Sequence, residues 1–158
     1  MAWQRFAKME GMAKTLYTAR ATVTGGRAHG HGRTDDGALD VQLRRPVEMG
    51  GEGGGTNPEQ LFAVGYAACF EGALAAVGRR ERAEDRMNDV SIDSRVSLTP
   101  AEDRSFRLGV ELDVTLPQVT DPDEAARIVR AAHQVCPYSN ATRGNVDVRL
   151  IANGQPLD

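Results

Sequence analysis

Residues 61–77 carry a single charge, Glu71, and otherwise apolar or small side chains all the way round a helix. A surface helix keeps a polar face for water; this segment has none, so it must be covered on every side. One small sheet covers only one side of a helix. The remainder needs either a second helix laid over it or a second copy of the chain intertwined with the first. Ala63, Gly65, Ala67, Ala68, Gly72 and Ala73 keep the helix slim and permit close backbone approach. Its start is well marked. Asn57 suits the N-cap, Pro58 the first position, and Gln60 the third position of a capping box. The charged run 79–86 ends it in solvent. An apolar run of this length reaches about 26 Å, short of a hydrocarbon core of about 30 Å, so a buried core helix is expected rather than a membrane span.

The rest of the chain reads as an α+β domain. Residues 16–24 alternate in strand fashion, with Tyr17, Ala19, Ala21 and Val23 on one face. A glycine-rich loop over 25–32 follows. Then come Asp35-Asp36-Gly37, a hairpin signal, and a second strand over 38–43. Residues 49–55 are a second glycine-rich loop leading into the apolar helix. Strands are expected over 90–98 and 106–116, the latter alternating through Phe106, Leu108, Val110, Leu112, Val114 and Leu116. Asp121, Pro122 and Glu124 open another helix with the stripe Ala125, Ile128, Val129, Ala132, Val135, which Pro137 stops or kinks. Residues 146–151 close the chain as a strand. The order β-β-α-β-β-α-β, mostly antiparallel, is an α+β arrangement.

The 158 residues suffice for one domain, and 41% hydrophobic with 26% charged residues excludes a disordered chain. A net charge of −3 gives no electrostatic footprint for nucleic acid or an anionic membrane surface. Residues 1–14 contain no apolar signal segment, so a cytoplasmic location is expected.

Only two cysteines are present, Cys69 and Cys136, too few for a disulfide scaffold. Cys69, mid-helix, reads alone as a small buried hydrophobe; Cys136, at a helix end before Pro137, reads as the more exposed thiol. Together they invite the idea of a redox pair. A thiol of pKa ~8.5 is only about 3% thiolate at pH 7, and the thiolate is the nucleophile. Lowering it to ~6 gives about 90% thiolate for ~3.4 kcal/mol of differential stabilisation. Mid-helix burial works against that, so a positive partner is required. Arg27, after Gly25-Gly26, is a candidate, since flanking glycines let the backbone deliver a guanidinium into a pocket. Glu59 could hold it by a bidentate pair, or could merely complement the helix N-terminus. His133 with Cys136 has metal-ligand spacing, and His29 and His31 could add ligands, but no four-ligand set emerges. The glycine loops lack a Walker lysine and a dinucleotide fingerprint.

At these residues a family resemblance appears. Gly50-Gly51-Glu52-Gly53-Gly54-Gly55-Thr56-Asn57-Pro58-Glu59-Gln60-Leu61-Phe62-Ala63-Val64-Gly65-Tyr66-Ala67-Ala68-Cys69-Phe70 resembles the first signature of the organic hydroperoxide resistance proteins, the Ohr branch of the Ohr/OsmC superfamily. Ala132-His133-Gln134-Val135-Cys136-Pro137-Tyr138-Ser139-Asn140-Ala141-Thr142-Arg143-Gly144-Asn145 resembles the second. Leu16-Tyr17-Thr18-Ala19 and Thr24-Gly25-Gly26-Arg27 fit as well, so the likeness runs from about Lys14 to Ile151. It implies an N-terminal extension over 1–13 and a single Ohr/OsmC-like domain over 14–158. The implied fold is an intertwined homodimer with central buried helices wrapped by antiparallel sheets.

The resemblance also implies a thiol-dependent peroxidase for organic and lipid hydroperoxides, with no bound haem, flavin or metal. Position by position, Cys69 is the peroxidatic cysteine and Cys136 the resolving one, with Arg27 and Glu59 the activating pair. Tyr66, Phe70 and Tyr138 would line an apolar substrate pocket. The implied reductants are dihydrolipoyl groups on lipoylated proteins. The loop after Arg27, Ala-His-Gly-His-Gly-Arg-Thr, departs from the family pattern, which makes Arg33 a rival to Arg27, although Arg27 is preferred. The alternative from another class is a redox-sensing or small-molecule-binding protein of the same fold that oxidises without turning over.

Overall fold

The computed structural model describes residues 14–157; the expected N-terminal extension lies outside them. The chain forms two compact units that meet in sequence between Gly55 and Thr56.

The first unit is a three-stranded antiparallel sheet in the order β1-β2-β3, built from β1 (Ala21–Thr24), β2 (His31–Thr34) and β3 (Asp40–Gln42). A single helical turn, α1 (Gly26–His29), joins β1 to β2. Gly25 and Gly26 enter it in the left-handed region, at φ 72° and 68°. At Gly30 a Cβ would lie 2.0 Å from the Gly26 carbonyl oxygen, so no side chain fits there. The sequence reading treats β2 as loop, because His-Gly-Arg-Thr has no apolar alternation. It is a strand because it pairs on both edges, with Val23 and Val41 opposite Gly32. The expected first strand is shorter than its pattern: Leu16 and Tyr17 are 98% and 79% exposed among the described residues.

The second unit opens with α2 (Pro58–Glu81). Its capping box is complete: Asn57 Oδ1 accepts from the Gln60 N–H at 2.9 Å, and Gln60 Oε1 accepts from the Asn57 N–H at 3.2 Å. A four-stranded sheet follows in the order β4-β5-β6-β7, from β4 (Ser91–Pro100), β5 (Phe106–Thr115), β6 (Asp147–Ala152) and β7 (Gln155–Leu157). The β4/β5 and β6/β7 pairs are antiparallel; β5/β6 is parallel, since two helices carry the chain from one to the other. Those helices are α3 (Pro122–Val135), capped by Asp121, and α4 (Pro137–Thr142). The core joins Tyr66, Phe70, Leu74 and Val77 of α2 to Val110, Leu112 and Val114 of β5 and to Ala125, Ile128, Val129 and Ala132 of α3. At the far end of α2, Arg127 forks onto Glu81 with two bonds of 2.7 Å. This is an α+β fold, as the sequence indicates.

One expectation about α2 changes. At 24 residues it is long and apolar enough to cross a membrane, so the length argument made from residues 61–77 does not hold. Its Tyr66, Phe70, Ala73, Leu74 and Val77 instead pack into the core of the unit. The described residues do not cover it all round: Val64 is 71% exposed, and Ala68 and Gly72 beside it are exposed too.

Because Asn57 is buried and satisfies the first turn of the longest helix, Asn57→Ala should cost about 1 kcal/mol of stability. Urea denaturation at fixed protein concentration should show a lower midpoint with unchanged slope, and Asn57→Asp, which keeps the accepting oxygen, should avoid most of the loss. An unshifted midpoint would mean that the cap is not used.

Candidate active site

Tyr66, Cys69 and Phe70 sit three and four residues apart on α2, so they share the face turned toward α3 and α4. Cys136 stands where α3 stops. Pro137 cannot donate to the preceding turn and holds Cys136 in an extended conformation, φ −65° and ψ 124°. The chain then turns into α4, and the Cys136 thiol points inward, donating toward Cys69 Sγ at 3.6 Å. Both cysteines are free thiols.

Their exposures reverse the expectation drawn from sequence. Cys136 is fully buried, while Cys69 is partly accessible. The break before Pro137 does not open Cys136 to solvent, because the chain folds back and α4 continues over it. Mid-helix Cys69 lies where the covering of α2 is incomplete. The accessible sulfur is therefore the one an incoming molecule can reach.

Electrostatics at Cys69 oppose each other. Burial pushes its thiol above the ordinary range and is the largest cause. The backbone N–H of Tyr138, hydrogen-bonded to the sulfur, pulls it down; the neighbouring Cys136 thiol pushes it up. The net direction is upward, so these groups alone hold the sulfur as a thiol. His133 is pushed down, first by burial and then by the Arg143 guanidinium, which leaves its imidazole neutral at pH 7.

The aromatic residues form one cluster. Phe62 stacks on Tyr138 at 5.9 Å and meets Tyr66 edge-on at 5.8 Å. Tyr138 presents an exposed edge, whereas Tyr66 and Phe70 have none. The Tyr138 ring rests against Gly65, where a Cβ would come within 3.2 Å of its hydroxyl. Tyr66 donates to Ser139 Oγ at 3.0 Å and lies 3.1 Å from Thr142 Oγ1. Phe62, Ser139 and Thr142 were not singled out from sequence. The signal for them was the helical spacing of Phe62 with Tyr66 and of Ser139 with Thr142.

Arg27 lies half-buried in α1 of the first unit, and Glu59 half-buried in the first turn of α2 in the second. Arg33 is an exposed strand residue whose Nε is 3.5 Å from Asp40 Oδ2; Asp40 also holds His31 Nε2 at 2.6 Å. Among the described residues, no group of three or more His, Cys, Asp or Glu side chains could hold a metal ion.

The family profile described as OsmC-like protein matches residues 50–151. An organic hydroperoxide resistance protein of Xanthomonas axonopodis pv. citri is 52% identical over 143 residues, covering 90% of this chain and 98% of the relative. The crystal structure of an organic hydroperoxide resistance protein from Legionella pneumophila superposes with a TM-score of 0.81 at 51% identity, covering 87% of this chain and 98% of that one. That of the organic hydroperoxide resistance protein OhrB of Bacillus subtilis gives 0.77 at 48% identity, with the same coverages.

The 3.6 Å separation makes a prediction that needs no hydroperoxide. Closing it to a disulfide of roughly 2.05 Å takes about 1.5 Å of movement. Diamide should therefore remove both thiols of each chain and leave a single-chain band on a non-reducing denaturing gel. A ladder of cross-linked chains would contradict the pairing.

Proposed function

The chain belongs to the OsmC-like protein family, in its organic hydroperoxide resistance branch, and from that premise we propose that it is a cysteine peroxidase reducing organic and lipid hydroperoxides to alcohols. The observation that carries the reading is the pair of free thiols 3.6 Å apart with Cys69 the accessible one. The relatives' names, which specify resistance to organic hydroperoxides, supply the substrate class.

In the first step the Cys69 thiolate attacks one oxygen of the hydroperoxide. The O–O bond breaks, a proton goes to the departing alkoxide, and the products are an alcohol and Cys69 sulfenic acid. Cys136 then attacks that sulfur; the S–O bond breaks, the hydroxyl leaves as water, and a Cys69–Cys136 disulfide forms. A dihydrolipoyl dithiol reopens it by two exchange steps and leaves as the cyclic disulfide. Cys69 needs a cation to overcome its burial, and Arg27 is assigned that role, with Glu59 holding the guanidinium. The same charge stabilises the developing alkoxide. Tyr138 offers the apolar surface for the alkyl group, with Tyr66 and Phe70 beneath it.

A second copy of the chain is the proposed cover for the bare face of α2, giving the intertwined homodimer of the family. The proposed setting is cytoplasmic, where lipoylated proteins supply the dithiol. One observation favours a redox sensor instead: the upward push on Cys69, which suits a thiol that oxidises slowly and once. Repeated turnover separates the two readings.

Purified protein with an alkyl hydroperoxide and dihydrolipoamide should consume many equivalents of peroxide. Cys69→Ser should consume none, and Cys136→Ser about one per chain before stopping. A parent protein that also stops at one equivalent is a sensor. Arg27→Ala should push Cys69 higher still, lowering the rate at pH 7 by tenfold or more. Thiolate returns as pH rises, so the deficit should narrow toward pH 9, leaving the part due to lost transition-state stabilisation. Arg33→Ala should change the rate little; the reverse pattern would transfer the role to Arg33. Light scattering should give twice the mass of one chain, and a stable monomer at micromolar concentration would contradict the dimer.

A further inference from the structure

α4 is only six residues long, and Cys136 precedes it on an extended backbone. What holds this short segment against α2 decides where the Cys136 sulfur sits. Its contacts with α2 include a buried hydroxyl cluster. Tyr66 and Ser139 have zero exposure, and Thr142 is 5% exposed. Tyr66 Oη donates to Ser139 Oγ at 3.0 Å and lies 3.1 Å from Thr142 Oγ1, while Thr142 Oγ1 donates to the Tyr138 carbonyl at 2.9 Å. Buried hydroxyls left without partners go uncompensated for the water they gave up, so the cluster favours one placement of α4 on α2.

That placement is in register with the thiols. Tyr66 precedes Cys69 by three residues on α2, and Ser139 follows Cys136 by three. The hydroxyl contact and the sulfur contact thus brace the same pair of segments about one helical turn apart, roughly 4.5 Å along α2. The same segment carries the Tyr138 N–H that bonds the Cys69 sulfur. Phe62 and Tyr138 pack on the Tyr66 ring, with centroids 5.8 Å and 5.7 Å away.

We infer that Tyr66 is a positioning residue whose hydroxyl, through Ser139 and Thr142, anchors the 136–142 segment so that Cys136 stays within reach of Cys69. This deepens the peroxidase reading and rests on it for its consequence. Once Cys69 is a sulfenic acid, two reactions compete. Cys136 attack expels water and forms the disulfide. A second hydroperoxide instead transfers an oxygen to the same sulfur, giving sulfinic acid and an alcohol, and the enzyme is lost. The anchor raises the local concentration of Cys136 and favours the first.

The test uses the full chain with Tyr66→Phe, which keeps the ring and deletes the hydroxyl. Ser139→Ala removes the partner from the other side, and Ser139→Thr restores a hydroxyl there. Equilibration in glutathione buffers reads the anchor without peroxide. The equilibrium constant for the intramolecular disulfide should fall about tenfold in Tyr66→Phe and Ser139→Ala and recover in Ser139→Thr. With excess tert-butyl hydroperoxide, mass spectrometry of quenched protein should show the ratio of disulfide to Cys69 sulfinic acid falling in the same two variants. Parent values of both quantities in either folded variant overturn the anchor. If the glutathione constant falls but hydroperoxide oxidises none of the chains, the parent included, the anchor stands and the peroxidase reading fails.

Discussion

The covering of α2 sets the terms for the rest of the molecule. A helix without a polar face must surrender both sides to other surfaces, and the described residues supply only one of them. On the covered side lie the four-stranded sheet and α3, with Leu112, Ile128 and Val129 against Phe70 and Leu74. On the bare side Val64, Ala68 and Gly72 present a low apolar strip. Cys69 sits between these two environments, which explains why it is neither a sealed core thiol nor a solvated one.

That position creates the chemical problem the site has to solve. Desolvation favours the neutral thiol, and the neutral thiol is a poor nucleophile. The Tyr138 N–H offsets part of this, and the neighbouring Cys136 sulfur works against it. A buried sulfur is nevertheless useful to a peroxidase for apolar substrates, because the burial that raises its pKa also admits an alkyl chain and excludes water. In the proposed mechanism the Arg27 guanidinium reconciles the two demands, since it stabilises the thiolate without rehydrating it.

Much of this was legible in the sequence, and for identifiable reasons. Asn57, Pro58 and Gln60 mark the start of α2 because capping is local chemistry. Asp121 and Pro122 mark α3 in the same way, and the alternation from Phe106 to Leu116 marks β5. What was not legible depends on contacts distant in sequence. β2 has no strand pattern of its own and exists because β1 and β3 flank it. α4 begins at a proline that reads as a stop, and Gln155-Pro156-Leu157 is too short to show a period. The two cysteines were recognisable from their motifs, but which one is buried depends on how α4 folds back over α2. Tyr66 reads as a pocket residue from its ring, yet its hydroxyl is engaged by Ser139, more than seventy residues away.

Everything turns on whether the completed site overcomes the burial of Cys69. The direct measurement is the ultraviolet thiolate absorbance of the reduced protein as a function of pH, with Cys69→Ser subtracted to isolate one sulfur. If a cation joins the site as proposed, the Cys69 titration is centred below neutrality, and most of the sulfur is thiolate at pH 7. If burial prevails, the titration stays above the ordinary thiol value of about 8.5, and Cys69 is not the activated nucleophile of a peroxidase.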